Sequence, residues 1–195
     1  MTHEVRNPLS TALWTAELLA RLPPAERAGP RGEKLAAICF RSVARVRLLV
    51  EDHLLCERLD AGGYPIRREA VSLSEALSVA RARWPAGDAA LTLTPEGPLA
   101  ALADRSLLER ALDALVGAAG AGGDPVRVEA EARDGRLEIR VSGGPVASLE
   151  DPGKGAPSEQ RGRALALPMA RRVAAALGGA LTATAEGYLL AIPLA

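Results

Sequence analysis

The chain has 195 residues, which is room for a small helical element and one compact α/β domain. Hydrophobic residues make up 48% of it and aromatic residues only 3%, so a core must be built from Leu, Val and Ala. Lys+Arg and Asp+Glu both number 24, and this zero formal net charge argues against a nucleic-acid-binding or membrane-surface protein, because attraction to phosphates requires a clustered excess of basic residues.

Location is indicated by what the sequence does not contain. No stretch approaches the roughly 20 consecutive apolar residues of a membrane span. The amino terminus has neither the basic start nor the apolar run of a signal peptide. Cys39 and Cys56 fall in one predicted helix, too far apart to bridge each other, which is typical of reduced thiols. We therefore expect a soluble, cytoplasmic protein.

The first 62 residues predict a helical hairpin. Apolar residues recur at spacings of three and four over residues 2–21, a loop rich in Pro and Gly covers 22–32, and the period returns over 33–59. Ala61-Gly62-Gly63 is a typical helix end. The apolar stripes consist of Leu9, Leu13, Ala16 and Ala20 in the first helix and Leu35, Cys39, Val43, Val46, Val50 and Leu54 in the second.

Two helices cannot enclose a core, so these stripes need a partner. A second copy of the hairpin, which gives a dimeric four-helix bundle, is the economical solution. Packing of the stripes on the rest of the chain is the alternative, and the residues leave both open.

Residues 63–195 predict an α+β domain in which helices pack on one face of a mixed sheet. Asp134-Gly135 is a hairpin turn, Gly178-Gly179 ends a helix, and Glu186-Gly187 is a second turn. The predicted strands cover 64–69, 91–94, 99–103, 125–131, 136–142, 180–185 and 188–193, and the predicted helices 72–83, 105–119 and 164–177.

The segment with the clearest chemistry is His3-Glu4-Val5-Arg6-Asn7-Pro8-Leu9. A proline inside a helix costs about 3 kcal/mol or more, and Pro8 has no N–H for the carbonyl of Glu4, so the backbone is loosened beside His3. An imidazole nitrogen can attack a phosphoryl group when a carboxylate takes or orients its other proton. An amide one turn on, as at Asn7, can orient a water. Alone, such a set is an ordinary helix surface.

This run resembles the phosphoacceptor box of sensor histidine kinases. The resemblance covers residues 1–195: a HisKA-type dimerisation and phosphotransfer hairpin over 1–62, and over 63–195 a Bergerat (GHKL-type) ATPase-like α/β sandwich. It implies that His3 is the phosphoacceptor, that Glu4 is its acid/base partner and that Asn7 positions water to dephosphorylate a receiver domain. His53 has no matching motif and is interpreted as a surface or packing residue.

The magnesium-binding helix of that family departs from its pattern here. Within 105–119, Ala114 and Ala118 stand where asparagines are expected, and the last of these normally holds the ion. Alanine offers no oxygen to a hard cation. Asp113 and Glu109 lie nearby in sequence, but Asp113 points elsewhere on the helix.

Two further nucleotide-contacting stretches are altered. In the Asp-x-Gly-x-Gly stretch, Ser142 takes the aspartate position, Val146 takes that of the last glycine, and Gly144 is retained. A serine accepts only a weaker, neutral hydrogen bond from adenine. In the glycine-rich loop, Gly162 and Arg163 remain candidates for an anion contact at a helix N-terminus.

Alanines replace the other two glycines of that loop, at Ala164 and Ala166, and obstruct close approach of the backbone to phosphates. Because all three elements have changed, we predict weak or absent magnesium-ATP binding and assign no metal site. Magnesium-ATP is a cofactor only if the altered, degenerate site is compensated.

Three functions stay open. The first is a histidine phosphotransferase or pseudokinase that exchanges phosphate with a receiver aspartate and uses the ATPase-like domain for docking. The second is an ATP-dependent kinase whose sensor lies outside this chain, since Met1 stands just before His3. The third is a non-catalytic regulator that binds receivers or kinases. The expected partners are a second copy, a response-regulator receiver domain and possibly a histidine kinase, without nucleic acid or membrane.

Overall fold

The computed structural model describes residues 2–83, 91–95, 98–122, 125–149 and 165–195, with the side chains of 2–4, 81–83, 91–95 and 122 outside that description. By residue packing the chain divides into two compact units, Met1–Leu54 and Leu55–Ala195. The division into 1–62 and 63–195 follows the motifs and stays a prediction. Each unit is described by itself.

The first unit is a helical hairpin, as predicted. Helix α1 covers Thr2–Arg21, a short helix α2 covers Pro24–Arg27, and α3 covers Pro30–Asp60. The predicted loop over 22–32 is therefore wrong in detail, since it contains α2 and the start of α3. Pro24 and Pro30 each stand at the beginning of a helix, where a missing N–H costs no hydrogen bond.

The predicted apolar stripe of α3 is only partly covered, since Leu35, Cys39 and Val46 are half-buried and the other three members are exposed. Ala12 and Leu49 are buried inside the hairpin, and the Cys39 thiol lies 3.5 Å from the carbonyl oxygen of Ala12. A second set is exposed and is called the exposed stripe below: Leu9 and Leu13 on α1, and Phe40, Val43, Val50 and Leu54 on α3. None of the helices in the described ranges is long and apolar enough to cross a membrane.

The second unit, which also contains the last residues of α3, is an α+β domain. Its elements are β1 (Glu69–Ser72), α4 (Leu73–Arg83), β2 (Leu91–Pro95), β3 (Ala100–Ala103), α5 (Arg105–Ala119), β4 (Val126–Arg133), β5 (Arg136–Ser142), α6 (Ala166–Ala176), β6 (Ala180–Ala183) and β7 (Gly187–Pro193). The five-stranded sheet has the order β2-β4-β5-β7-β6, with β2 parallel to β4 and the other pairs antiparallel. Strands β1 and β3 form a separate antiparallel pair.

The predicted strand over 64–69 is wrong, because β1 begins only at Glu69. Residues 65–68 are irregular, and the Arg67 N–H donates to the carboxylate of Asp104 at 3.0 Å instead of to a strand. The segment therefore serves as a fastened connection between α3 and β1.

Among the described side chains of the sheet, the buried ones lie on one face. Val128, Val141 and Tyr188 are register partners on neighbouring strands and are all buried, and the same holds two residues on for Ala130 and Ile139. Helix α5 packs on β5, α6 packs on β6 and β7, and α4 packs on α5. The α+β class with helices on one face of a mixed sheet is confirmed.

Two turns predicted from glycines are confirmed by their backbone angles. Asp134 and Gly135 have φ values of 50° and 74° between β4 and β5, as a hairpin turn of the I′ type requires. Gly178 ends α6 with φ 82°, which an L side chain rarely adopts. These turns fix the register of β4 with β5 and the exit of α6 into β6.

Candidate functional site

The segment predicted for phosphoryl chemistry lies in the first two turns of α1. The backbone is helical from Thr2, so His3 and Glu4 belong to the first turn, and their side chains lie outside the described part of the chain. Asn7 follows one turn after His3 and is exposed. Pro8 lies inside the helix, as predicted, and leaves the carbonyl of Glu4 without its helical N–H.

Two threonine hydroxyls bond back to carbonyls of α1 directly after this proline. The Thr11 hydroxyl donates to the carbonyl of Asn7 at 3.0 Å. The buried Thr15 hydroxyl donates to the carbonyls of Thr11 at 2.7 Å and Ala12 at 3.0 Å. These bonds give the carbonyls just beyond the loosened turn an additional donor. Sequence reasoning missed them, although the spacing of four between Asn7, Thr11 and Thr15 was a usable signal.

Helix α5 presents an apolar wall where the family pattern predicts asparagines. Ala114 and Ala118, one turn apart, are 8% and 6% exposed. The helix is fixed at its start by the buried carboxylate of Asp104, which caps it by accepting from the N–H of Leu107 at 3.2 Å. Among the described residues, no group of three or more His, Cys, Asp or Glu side chains is placed to hold a metal ion.

The loop that leaves β5 runs against the end of this helix. The Gly144 N–H donates to the carbonyl of Ala119 at 2.7 Å. A Cβ at Gly143 would lie 2.7 Å from the same oxygen and 3.2 Å from the Ala119 side chain, so only glycine fits there. Sequence reasoning singled out Gly144 and missed the steric requirement at Gly143.

A buried tyrosine fastens the loop a second time. Tyr188, at the start of β7 and 1% exposed, accepts a hydrogen bond from the Ala147 N–H at 2.8 Å. Burial raises the pKa of this phenol, and the Ala147 N–H lowers that pKa by a smaller amount. Val146, Ala147 and Leu149 pack against the core. The fastened loop, residues 143–149, is therefore held at α5 and at β7.

The predicted nucleotide contacts are only partly brought together. Ser142 ends β5 and Gly144 lies in the fastened loop against the end of α5, whereas Gly162 and Arg163 lie outside the described residues. Ser142 also lines an open cavity of about 400 Å³ at the end of the sheet. That cavity is formed by Pro125, Val126, Arg127, Ser142, Gly143 and Glu186. Its lining contains one cationic side chain, Arg127, and one anionic side chain, Glu186, so the charges of the cavity do not favour a phosphate.

Comparison with known proteins gives a family match for the first part of the chain and a similar fold for the whole of it. Residues 1–62 match the family model of the His Kinase A (phospho-acceptor) domain. The fold is similar to that of the Acinetobacter baumannii histidine kinase AdeS, with 18% identity, a TM-score of 0.73 and coverage of 98% of each chain. It is also similar to full-length ShkA in complex with AMPPNP, with 24% identity, a TM-score of 0.67 and coverage of 99% of this chain but 44% of ShkA.

A further similar structure is the histidine kinase ThkA in complex with the response regulator TrrA, with 16% identity and a TM-score of 0.66. It covers all of this chain, which spans 60% of the matched one. Residues 1–62 therefore match a phospho-acceptor domain model, and the chain has the fold of a histidine-kinase core. The resemblance predicted from the sequence is confirmed at this level.

Proposed function

We propose that this chain, built as a histidine-kinase core, is a phosphorelay protein that carries a phosphoryl group on His3 and exchanges it with a receiver aspartate of a response regulator. The observation that carries the proposal is the His3-Glu4-x-x-Asn7 box in the first turns of α1, inside the segment that matches a phospho-acceptor domain. Asn7 is exposed, which supports contact between this residue and a partner.

The proposed transfer needs no external donor other than the phosphorylated receiver. A neutral nitrogen of His3 attacks the phosphorus of the aspartyl phosphate, the N–P bond forms, and the aspartate leaves as a carboxylate. Glu4 orients the imidazole and stabilises the positive charge that develops on it. In the reverse direction the receiver aspartate attacks and His3 leaves as neutral imidazole. Asn7 orients the water that removes phosphate from the receiver.

The structure of α5 and the fastened loop supports a role without ATP. Ala114 and Ala118 offer no ligand to magnesium, and both side chains are almost completely buried. The hydrogen bond from the Gly144 N–H to the Ala119 carbonyl holds the fastened loop against the end of α5. We therefore propose that magnesium-ATP binds weakly or not at all, as in a pseudokinase.

A second candidate function is an ATP-dependent kinase with an atypical nucleotide site. It is favoured by the similarity in fold to ShkA, which was determined with the ATP analogue AMPPNP. Under this reading Ser142, Gly144, Gly162 and Arg163 would supply the remaining nucleotide contacts, and the fastened loop would have to open.

The proposed partners follow from the hairpin and from one relative. HisKA domains dimerise, and the exposed stripe supplies an unpaired apolar surface for a second copy. ThkA, whose fold is similar, forms a complex with a response regulator, which supports a receiver domain as the partner of this chain.

The deciding experiment supplies phosphate from two sources. The purified protein is incubated with labelled ATP and magnesium, and separately with labelled phospho-receivers, and acid-labile, base-stable phosphate is scored. We expect label from a receiver only, its loss in His3→Gln, and its retention in the control His53→Gln. Label from ATP would establish the kinase function. A receiver that binds tightly without labelling His3 would instead support a non-catalytic regulator.

A further inference from the structure

The open cavity of about 400 Å³ lies at one end of the five-stranded sheet, within the second unit. Its lining comes from the start of β4, the end of β5 and the turn between β6 and β7. This volume lies in the range of small-ligand sites in proteins. The phosphoryl transfer proposed for His3 makes no use of it, so the cavity needs an account of its own.

Two side chains of β4 and β5 reach the cavity from the same face of the sheet. Arg127 and Ser142 are register partners on these strands, and both line the cavity. Their neighbours along the strands, Val126, Val128 and Val141, are buried. Because successive side chains of a strand alternate between its faces, Arg127 and Ser142 lie on the face opposite to the helices. The guanidinium and the hydroxyl are therefore side by side at the end of the sheet.

The turn between β6 and β7 supplies the opposite charge. The Thr184 N–H donates to the Gly187 carbonyl at 2.8 Å and closes this turn, which brings the exposed Glu186 to the cavity. Gly187 is the register partner of Ser142 on β7, and a Cβ there would collide with the carbonyl oxygen of Val141. The strand position beside Ser142 therefore has no side chain, which leaves space between the cation and the anion.

The two charged side chains of the cavity, Arg127 and Glu186, are available to a ligand. Within the described part of the chain, neither takes part in an ion pair or a side-chain hydrogen bond. By contrast Arg140, on the same face of the sheet, lies 4.0 Å from Glu129. A guanidinium and a carboxylate that are both open to solvent at one cavity are complementary to a ligand with one anionic and one cationic group.

The spacing of the strands sets the distance between these charges. Arg127 on β4 and Gly187 on β7 lie on either side of Ser142 on β5. Neighbouring strands are about 4.8 Å apart, so the backbones that carry the cation and the anion are roughly 10 Å apart. The ammonium and the carboxylate of a free amino acid are attached to one carbon atom and stand much closer together. An extended peptide advances about 3.4 Å per residue, so about three residues match the spacing.

We propose that this cavity binds a short linear peptide with free termini, its carboxylate at Arg127 and Ser142 and its ammonium at Glu186. The guanidinium donates a forked pair of hydrogen bonds to a carboxylate, and the Ser142 hydroxyl donates another. Both charges of the ligand are used, which distinguishes such a peptide from a phosphate, whose charge matches Arg127 alone. This inference does not rest on the proposed function, since neither His3 nor ATP takes part in it.

Triglycine is the probe that tests this site, because it has both charges and no side chains. It is titrated into the full chain, and binding is followed by the NMR shifts of the backbone amides of Arg127, Ser142 and Glu186. Removing one charge from the probe, in N-acetyl-triglycine or in triglycine amide, should weaken binding about tenfold, because a charge-assisted interaction is lost. Arg127→Gln should weaken the binding of triglycine about tenfold and should bind triglycine and its amide equally. Glu186→Gln should likewise bind triglycine and its acetylated form equally.

The matched controls are Arg133→Gln and Glu131→Gln, which remove the same kinds of charge from β4 outside the cavity and should leave the affinity unchanged. The proposal is overturned if triglycine at tens of millimolar leaves the cavity amides unshifted. It is equally overturned if Arg127→Gln and Arg133→Gln weaken binding to the same extent, or if acetylation and amidation of the probe have no effect.

Discussion

At the scale of single residues, Tyr188 links the end of the sheet to the fastened loop. Its hydroxyl is the acceptor for the Ala147 N–H at 2.8 Å, and its ring lies in the core beside its register partner Val141. A buried hydrogen bond of this kind contributes about 1 kcal/mol. One side chain therefore serves both the core and the loop next to the candidate nucleotide site.

We expect Tyr188→Phe to lower the free energy of unfolding by about 1 kcal/mol, because the Ala147 N–H loses its acceptor while the ring is kept. Denaturant unfolding measures this change. The matched control is Tyr64→Phe, the other tyrosine, whose ring packs at the edge of the core. Equal losses in the two variants would contradict the assigned hydrogen bond.

The same residue predicts a dependence on pH. Burial raises the pKa of Tyr188 above its ordinary value of 10.0, so the folded chain keeps the phenol proton to higher pH than the unfolded chain does. The stabilisation is fully present below pH 10.0 and is lost as pH rises through the raised pKa. Above pH 10.0, the free energy of unfolding should therefore decrease more steeply with pH for the wild type than for Tyr188→Phe.

Sequence reasoning found the residues of the local motifs and missed those defined by distant contacts. The box from His3 to Asn7 and the turn at Asp134-Gly135 are readable because their spacing is local. The role of Tyr188 depends on Ala147, and that of Gly143 depends on Ala119. Both contacts join residues far apart in sequence, and neither leaves a periodic signal.

At the scale of elements, the contact between α5 and the loop after β5 depends on the missing side chain of Gly143. Ala119 leaves no space for a Cβ there, since its carbonyl oxygen and its own Cβ stand at 2.7 and 3.2 Å. Backbone atoms of a buried helix end cannot move aside cheaply. The close packing of these two elements is therefore sensitive to one methyl group.

We expect Gly143→Ala to destabilise the second unit by about 1 to 3 kcal/mol through overpacking. The matched control is Gly63→Ala, where the nearest atom to an added Cβ is the Arg58 carbonyl oxygen at 3.8 Å. Thermal unfolding followed by circular dichroism compares the two variants. A Gly143→Ala protein as stable as Gly63→Ala would mean that the loop moves away from α5 without cost.

Most elements were predictable, and the errors fell where tertiary contacts replace local rules. Alternation of apolar residues correctly predicted β4 and β5, and the helical period of apolar residues correctly predicted α1, α3 and α5. The prediction of a strand over 64–69 was wrong. In this segment the Arg67 N–H donates to the Asp104 carboxylate, and the Tyr64 and Ile66 side chains pack against the core. The stripe of α3 was recognised as apolar, but periodicity alone does not separate a face that packs on α1 from a face that awaits a partner.

At the scale of the whole molecule, the exposed stripe predicts the oligomeric state. Phe40 on α3 is 76% exposed and Leu13 on α1 is 59% exposed, and water contact of such side chains is unfavourable. Val43, Val50 and Leu54 follow Phe40 along α3 at steps of three, seven and four residues, which keeps all four on one face of the helix, as in a helical bundle seam. We expect a second copy to cover this stripe and to complete a four-helix core.

We expect Phe40→Glu to shift the protein from dimer to monomer by placing a charge in that seam. Sedimentation equilibrium measures the change in association. Trp14→Glu is the matched control, because Trp14 is 62% exposed but lies one residue off the stripe on α1. A dimer that survives Phe40→Glu and dissociates with Trp14→Glu would relocate the interface to the other face of the hairpin.

The helix that runs through the boundary between the two units also bears on how such chains can be recombined. Modular proteins are commonly exchanged at linkers, and the glycines after Asp60 look like a natural joint. In this chain, a fusion made after Asp60 would remove Leu55 and Cys56 from the second unit. Its hydrophobic core would then lack two buried side chains. A workable exchange has to be made at Leu54, inside a helix, where the new partner must continue the same helical phase. The unit that can be exchanged is therefore the α+β domain together with the last residues of α3, from Leu55 to Asp60.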